Sequence, residues 1–219
     1  MLRKNIYFYF GGACILLAFI FFAHNLREDY EAKVRTEKIV TELKEKVGKR
    51  PSPQNNYIEN PKMEMPTRQI NGLDYIGYLK IEKLSMDLPI LSSWSYPLIR
   101  ISPARYRGSV YENNMIILAH NYKAHFGYLH RLDKGDKVEF VDMDDNHFIY
   151  EVEDVEIIRP DQINDLEAGD WDLSLFTCTL GGKSRVLVRC KIQSKNKKSG
   201  EYFSKLRRGL NKSGRNNTC

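Results

Sequence analysis

Leu173–Cys190 reads LSLFTCTLGGKSRVLVRC. Two short runs rich in apolar and β-branched residues flank Gly181-Gly182, a pair that supplies the backbone freedom of a tight reversal. The pattern predicts an antiparallel hairpin of two strands, Leu173–Thr177 and Arg185–Cys190. A turn centred on the glycines puts Cys178 opposite Ser184 and Arg185. A guanidinium across from a thiol can stabilise the thiolate, or hold an oxyanion that develops on an attacked carbonyl. Arg189 lies on the same face as Arg185, but about 13 Å further along at 3.3 Å per residue, beyond the reach of Cys178.

The same register separates the hairpin's two cysteines. Cys190 falls near Asp172, well outside the roughly 7 Å Cα separation that a bridge to Cys178 would need. Cys190 shares parity with Val186 and Val188, which predicts a buried structural thiol. The other cysteines are Cys14, inside an apolar run, and Cys219. No pair has the CxxC spacing of a zinc or redox site.

Working outward, further strands are predicted at Ile76–Glu82, Leu88–Leu91, Met115–Ala119, Lys137–Val141 and Phe148–Ile158. Phe126–Leu132 reads as one short helix. Seven or eight strands with little helix predict a mainly β domain, a closed or nearly closed barrel over residues 70–193. Ahead of it, Ile6–Ala23 reads IYFYFGGACILLAFIFFA, with no charged residue. At about 1.5 Å per residue this run spans roughly 27 Å, close to the hydrocarbon thickness of a bilayer. Arg3 and Lys4 precede it, which places residues 1–5 in the cytoplasm and the chain beyond the run outside. Its length and poor cleavage site favour an uncleaved anchor over a signal peptide.

Residues 24–50 are charged and helix-prone. Leu26, Tyr30 and Val34 repeat every four residues, and Val40, Leu43 and Val47 continue a narrow stripe. A short coiled coil or a helix lying on the domain would use this stripe, but a solvated helical stalk is the preferred reading. Residues 51–69 carry Pro51, Pro53, Pro61 and Pro66 and read as an extended linker. Residues 194–219 form a basic tail expected to be disordered. The formal net charge is +6, and much of it sits in that tail. An anionic wall polymer or lipid headgroup is the expected contact, with no nucleic-acid partner.

A cysteine nucleophile needs help, because a thiol with pKa near 8.5 is only a few per cent thiolate at pH 7. A histidine must also protonate a leaving amine. The candidates are His24, His120, His125, His130 and His147. His24 is at the membrane edge. His147 comes after Asp144-Asp145-Asn146 and is expected to be exposed. His125 and His130 lie in or beside the short helix, where a surface role is expected. His120 ends the buried strand Met115–Ala119 and can serve a site at the rim, although a strand-end histidine bonded to backbone would look the same.

Several ordered stretches resemble one family. Ile76-Gly77-Tyr78-Leu79-Lys80-Ile81 looks like its first strand, and Pro103-Ala104-Arg105-Tyr106-Arg107-Gly108-Ser109 like the segment before its histidine strand. Ile116-Ile117-Leu118-Ala119-His120-Asn121 matches its histidine motif. Phe126-Gly127-Tyr128-Leu129 and Leu132-Asp133-Lys134-Gly135-Asp136 match the stretch C-terminal to that motif. Leu175-Phe176-Thr177-Cys178-Thr179 is similar to its cysteine motif, and Arg185-Val186-Leu187-Val188 to its arginine strand. The family is the sortases, cysteine transpeptidases of Gram-positive cell surfaces. Ala119 replaces a glycine often found before the histidine, and Leu175 the first threonine of Thr-x-Thr-Cys; the subclass stays open.

The resemblance implies a sortase-like β-barrel with catalytic His120, Cys178 and Arg185. It implies substrate-binding roles for Ala119, Asn121, Thr177 and Thr179, and no metal or cofactor. The implied partners are surface proteins with a C-terminal signal like Leu-Pro-x-Thr-Gly, and a cell-wall precursor or a pilin lysine as the amine acceptor. The loop from Arg159 to Asp170 would help form the substrate groove. The reading from another class is a non-enzymatic anchored surface protein that binds anionic wall polymers.

Overall fold

Alternating side chains turn most of the domain into strand. The computed structural model describes residues 2–48, 57–162, 169–179 and 181–197. After helix α1 (Leu2–Lys46) come β1 (Arg68–Ile70), β2 (Leu73–Ile81), β3 (Met86–Leu91), β4 (Ala104–Arg107) and β5 (Met115–Ala119). They are followed by β6 (Lys137–Asp142), β7 (Asn146–Ile158), β8 (Leu173–Cys178) and β9 (Arg185–Lys197).

The strands take the order β2-β3-β4-β5-β8-β9-β7-β6, and β6 pairs back onto β2. Eight strands therefore form a closed barrel, and β1 only flanks β2. Closure removes the open edges that would otherwise template aggregation. Gly77 sits where β2 receives β6: a Cβ there would stand 2.1 Å from the Val141 carbonyl oxygen. Only glycine admits that approach.

Residues of one parity fill the interior. Ile117 and Ala119 of β5, Leu173 and Leu175 of β8, and Val186, Val188 and Cys190 of β9 all lie in the core cluster. Their neighbours of opposite parity, Ile116, Phe176 and Leu187, form a second apolar cluster on the outer face. Parity thus decides which face each site residue can reach.

The expected short helix is one 3-10 turn, Leu129–Arg131. The second half of the expected linker is not free chain. Tyr57 and Met65 belong to the barrel core, and Tyr57 stacks on Tyr111 at 4.8 Å. The basic tail was expected from residue 194, but β9 continues to Lys197; residues 198–219 and 49–56 lie outside the described residues.

Helix α1 corrects the preference for a solvated stalk. Its second half lies along the barrel. Ala32, Thr36, Ile39, Val40 and Leu43 are buried, and Ile39 and Leu43 pack with Ile70, Tyr75, Leu91, Ala104 and Met143. Leu26, Tyr30 and Val34, by contrast, are exposed. The packing face starts with small residues because the helix must approach a loop closely there. The helix ends where Gly48, at φ +70, donates its N–H to the Met143 carbonyl at 3.2 Å. The first half is long and apolar enough to cross a membrane. Its side chains, Phe10, Leu16, Phe19 and Phe22 among them, are exposed. No part of the protein covers them among the described residues, as befits a lipid-facing surface.

Candidate active site

The hairpin of β8 and β9 pairs Cys178 with Arg185, as its turn glycines require. Gly181 and Gly182 both take positive φ, and Thr179 closes the loop by donating its N–H to the Ser184 carbonyl at 2.9 Å. Leu173 pairs with Cys190 at the other end, and both cysteines are free. Cys190 is fully buried, and burial pushes its thiol well up. Cys178 is half-buried.

His120 arrives from a different strand. β5 runs parallel to β8, with Ala119 paired to Thr177. One step further, the Asn121 amide donates to the Thr179 carbonyl at 3.4 Å. The two contacts bracket His120 and Cys178 and place them side by side at the strand ends, about one strand spacing of 4.8 Å apart along the backbone. Parity puts His120, Cys178 and Arg185 on the outer face, beyond the Phe176 and Leu187 cluster. The thiol, the imidazole and the guanidinium therefore stand on three adjacent strand ends, facing one way.

The other residues implied as substrate-binding do structural work in the same place. The Thr177 hydroxyl, buried inside the barrel, donates to the Ala119 carbonyl at 2.8 Å. The Thr179 hydroxyl accepts the Ser184 N–H at 3.1 Å. Ala119 and Thr177 face the interior and cannot touch a molecule on the outer face. Asn121 and Thr179 are half-buried at the rim.

Electrostatics bias the histidine towards its neutral form. Burial lowers the His120 pKa first and the nearby Arg100 adds to it, while Glu28 and Asp29 of α1 act the other way. The ring packs edge-on against Tyr122 at 4.3 Å. Arg185 is steadied by its own turn, with Nη1 donating to the carbonyls of Gly182 at 3.1 Å and Ser184 at 3.0 Å. Neither the His120 ring nor the Cys178 thiol hydrogen-bonds another side chain among the described residues. Both stay available to a bound molecule.

Two of the other histidines correct their expectations. His125 is fully buried rather than on the surface, and its ring packs against Tyr122 at 5.6 Å. His147 is not exposed: its ring lies 2.6 Å from Glu139 and 3.1 Å from Asp145. A row of aromatics went unread in the sequence. Phe176 meets Tyr106 at 5.7 Å, Tyr106 meets Trp94 at 5.5 Å, and Trp94 meets Tyr96 at 5.7 Å. The row leads outward from the strand that carries Cys178. Only the parity of Phe176 with Cys178 could have hinted at it. Much of the expected groove loop, 163–168, lies outside the described residues.

A family model described as Sortase domain matches residues 79–193. Among solved structures, the chain is similar to a sortase D5 transpeptidase of Clostridium perfringens. That match has 23% identity and a TM-score of 0.56, and covers 74% of this chain and 99% of that one. It is also similar to a sortase C of Clostridium perfringens solved with the C-terminal cell wall sorting motif, at 20% identity and TM-score 0.58, covering 72% and 98%. A sortase E1 of Streptomyces coelicolor with a tripeptide in its active site matches at 21% identity and TM-score 0.50, covering 57% and 92%. These likenesses speak for the fold. No curated protein matches the sequence.

Proposed function

The chain belongs to the sortase family of cysteine transpeptidases, and from that premise we propose that His120, Cys178 and Arg185 carry its acyl transfer. The observation that supports this most is the strand register, which sets the three side chains on one outward face at adjoining strand ends.

The first step begins with the Cys178 thiolate attacking the threonine carbonyl carbon of a signal resembling Leu-Pro-x-Thr-Gly. The carbonyl electrons move onto oxygen, and Arg185 stabilises that oxyanion. When the intermediate collapses, the C–N bond to glycine breaks and protonated His120 gives its proton to the leaving amine. A thioester joins the donor to Cys178. In the second step an amine of a cell-wall precursor or a pilin lysine attacks the thioester, His120 takes the amine proton, and the thiolate leaves. No cofactor takes part. The outer-face cluster and the aromatic row from Phe176 to Trp94 supply apolar surface for the signal, and Asn121 and Thr179 offer polar contacts at the rim.

Residues 6–23 are proposed to anchor the enzyme, with residues 1–5 in the cytoplasm and the barrel outside, where surface proteins and wall precursors meet. The test uses the full chain in nanodiscs with a sorting-signal peptide and hydroxylamine as the stand-in amine. Mass spectrometry should find the peptide on Cys178 in the native chain. Cys178→Ala and His120→Ala should yield no adduct and no hydroxamate, while Cys190→Ala should behave as native. A peptide adduct on the Cys178→Ala chain would reject the assignment.

A further inference from the structure

Asp29 lies on α1, six residues past Ala23, where the apolar run ends. It reaches across 94 sequence positions to the loop that carries His120. Its Oδ1 accepts the backbone N–H of Lys123 at 3.2 Å, and its Oδ2 stands 3.9 Å from the Lys123 ammonium. Lys123 is three residues beyond His120.

The loop is otherwise folded on itself. The His120 N–H donates to the Ile99 carbonyl and the Phe126 N–H to the His120 carbonyl, each at 3.4 Å. The Tyr122 carbonyl accepts from the N–H groups of His125 and Gly127, each at 2.9 Å. The Lys123 N–H points outward from that turn, and Asp29 satisfies it with a charged acceptor, the stronger kind of hydrogen bond. One and two turns further along α1, Ala32 and Thr36 are buried. Small side chains there let the helix come close. The helix therefore covers the outside of the histidine loop and fastens it at one backbone donor.

We propose that Asp29 is a positioning residue for His120: by holding the Lys123 N–H it fixes the loop that aims the imidazole at Cys178, so the juxtamembrane turn of the anchor helix is a working part of the active site. The proposal rests on the assignment of His120 as acid/base and Cys178 as nucleophile. Charged and titratable groups approach the ring from every side: Arg100 from the 3-10 turn Leu98–Arg100, Glu28 and Asp29 from α1, Tyr122 and His125 from its own loop, and Cys178 and Arg185 from β8 and β9. Among them Glu28 and Asp29 supply the negative charge that favours imidazolium.

The test compares the full native chain in nanodiscs with Asp29→Ala, Asp29→Asn and the control Glu45→Gln, an exposed acid at the far end of the same helix. The readout is kcat, KM and the pH profile on a sorting-signal peptide with hydroxylamine. Asp29→Ala should lower kcat about tenfold or more, as misaimed catalytic groups do, with KM changed less than about twofold. Asp29→Asn can still accept the N–H but has lost the charge. It should lose less rate and move the His120 limb of the profile to lower pH, a shift that mere loosening of the fold would not produce. If Asp29→Ala fails to fold, that limb carries the test. Native kcat and pH profile in both Asp29 variants would overturn the proposal, as would an equal loss in Glu45→Gln. Inactive Cys178→Ala beside unaffected Asp29 variants rejects this proposal alone. Full activity in Cys178→Ala rejects the site, and the proposal with it.

Discussion

Two buried ionisable groups at opposite ends of the barrel, Asp142 and His125, are treated in opposite ways. At the turn between β6 and β7, every oxygen of buried Asp142 is occupied. Oδ1 accepts the backbone N–H groups of Asp144 and Asn146, each at 2.9 Å. Oδ2 accepts the Tyr111 hydroxyl at 2.7 Å and the Asn146 amide at 2.8 Å. At the other end, His125 is equally buried, and neither ring nitrogen has a hydrogen-bond partner among the described residues. Nearby, His120 and Cys178 also leave their polar atoms unused. At the first end Asp142 is held by four donors, although the Asn146 Oδ1 beside it has no hydrogen-bond partner among the described residues. The other is set by backbone register and by the side chains of Asn121, Thr177, Thr179 and Arg185, while the His120 ring and the Cys178 thiol bond no other side chain among the described residues. Buried polar groups without partners cost stability, so His125 lowers stability where Asp142 supports it.

Mutations at the two ends should have opposite effects. Cys178→Ala should abolish transfer, measured as hydroxamate release, and leave the melting temperature unchanged. Asp142→Ala should do the reverse. Removing a carboxylate that serves four donors should cost roughly 3–5 kcal/mol in denaturant melts, with activity per folded molecule kept. A Cys178→Ala chain that melts far below native would make the site end structural after all.

Next in size is the response to acid. Burial pushes the His125 pKa down to about 4, from an ordinary value of 6.5. The unfolded chain therefore binds a proton at this residue between those values and the folded chain does not. Stability is fully present above pH 6.5 and is lost as pH falls towards 4, by roughly 3 kcal/mol. Melting curves across that window should show the loss, and His125→Phe should flatten it. An equally steep loss in His125→Phe would assign the acid sensitivity elsewhere.

The smallest expected effect tests the register itself. Thr177→Val keeps the shape and removes the hydroxyl that bonds the Ala119 carbonyl. It should cost about 1 kcal/mol in stability. It should also lower kcat, because that bond braces β5 against β8 where His120 meets Cys178. Unchanged kcat would mean that the backbone ladder alone keeps the two strands aligned.

Much of the barrel was legible because its signals are local. The Gly181-Gly182 reversal put Cys178 opposite Ser184 and Arg185, and the ladder pairs it with Arg185; the parity of Val186 and Val188 marked Cys190 as buried. MIILA could only be a buried strand, and Met115–Ala119 is one with those bounds. β4 escaped because Ala104–Arg107 is four residues long and includes two arginines. The neighbourhood of His120 and Cys178 was not legible from spacing. β5 and β8 are parallel partners far apart in sequence, so only the family resemblance joined them. The helix face misled for a related reason. Leu26, Tyr30 and Val34 look like a packing stripe, yet they are exposed and small Ala32 and Thr36 are buried instead, whereas Val40, Leu43 and Val47 pack as their stripe suggested. His125 looked superficial because nothing in its local sequence marks it as buried.

Helix α1 is unbroken from Leu2 to Lys46 and touches the barrel at both ends, near Lys123 by Asp29 and near Met143 by Gly48. With its apolar half in a bilayer, the protein has a floor and a ceiling. On that arrangement the thiol end would hang towards the lipid and the Asp142 end would point away. From Ala23 to Asp29 the helix climbs about 9 Å, a height that about three residues of extended chain can cover. A donor held by its own bilayer segment would reach that height with little slack, whereas a loose polymer overhead would have to come down to it. On the proposed anchoring the helix would act as a fixed stilt, favouring donors by tether length before any side chain reads their sequence.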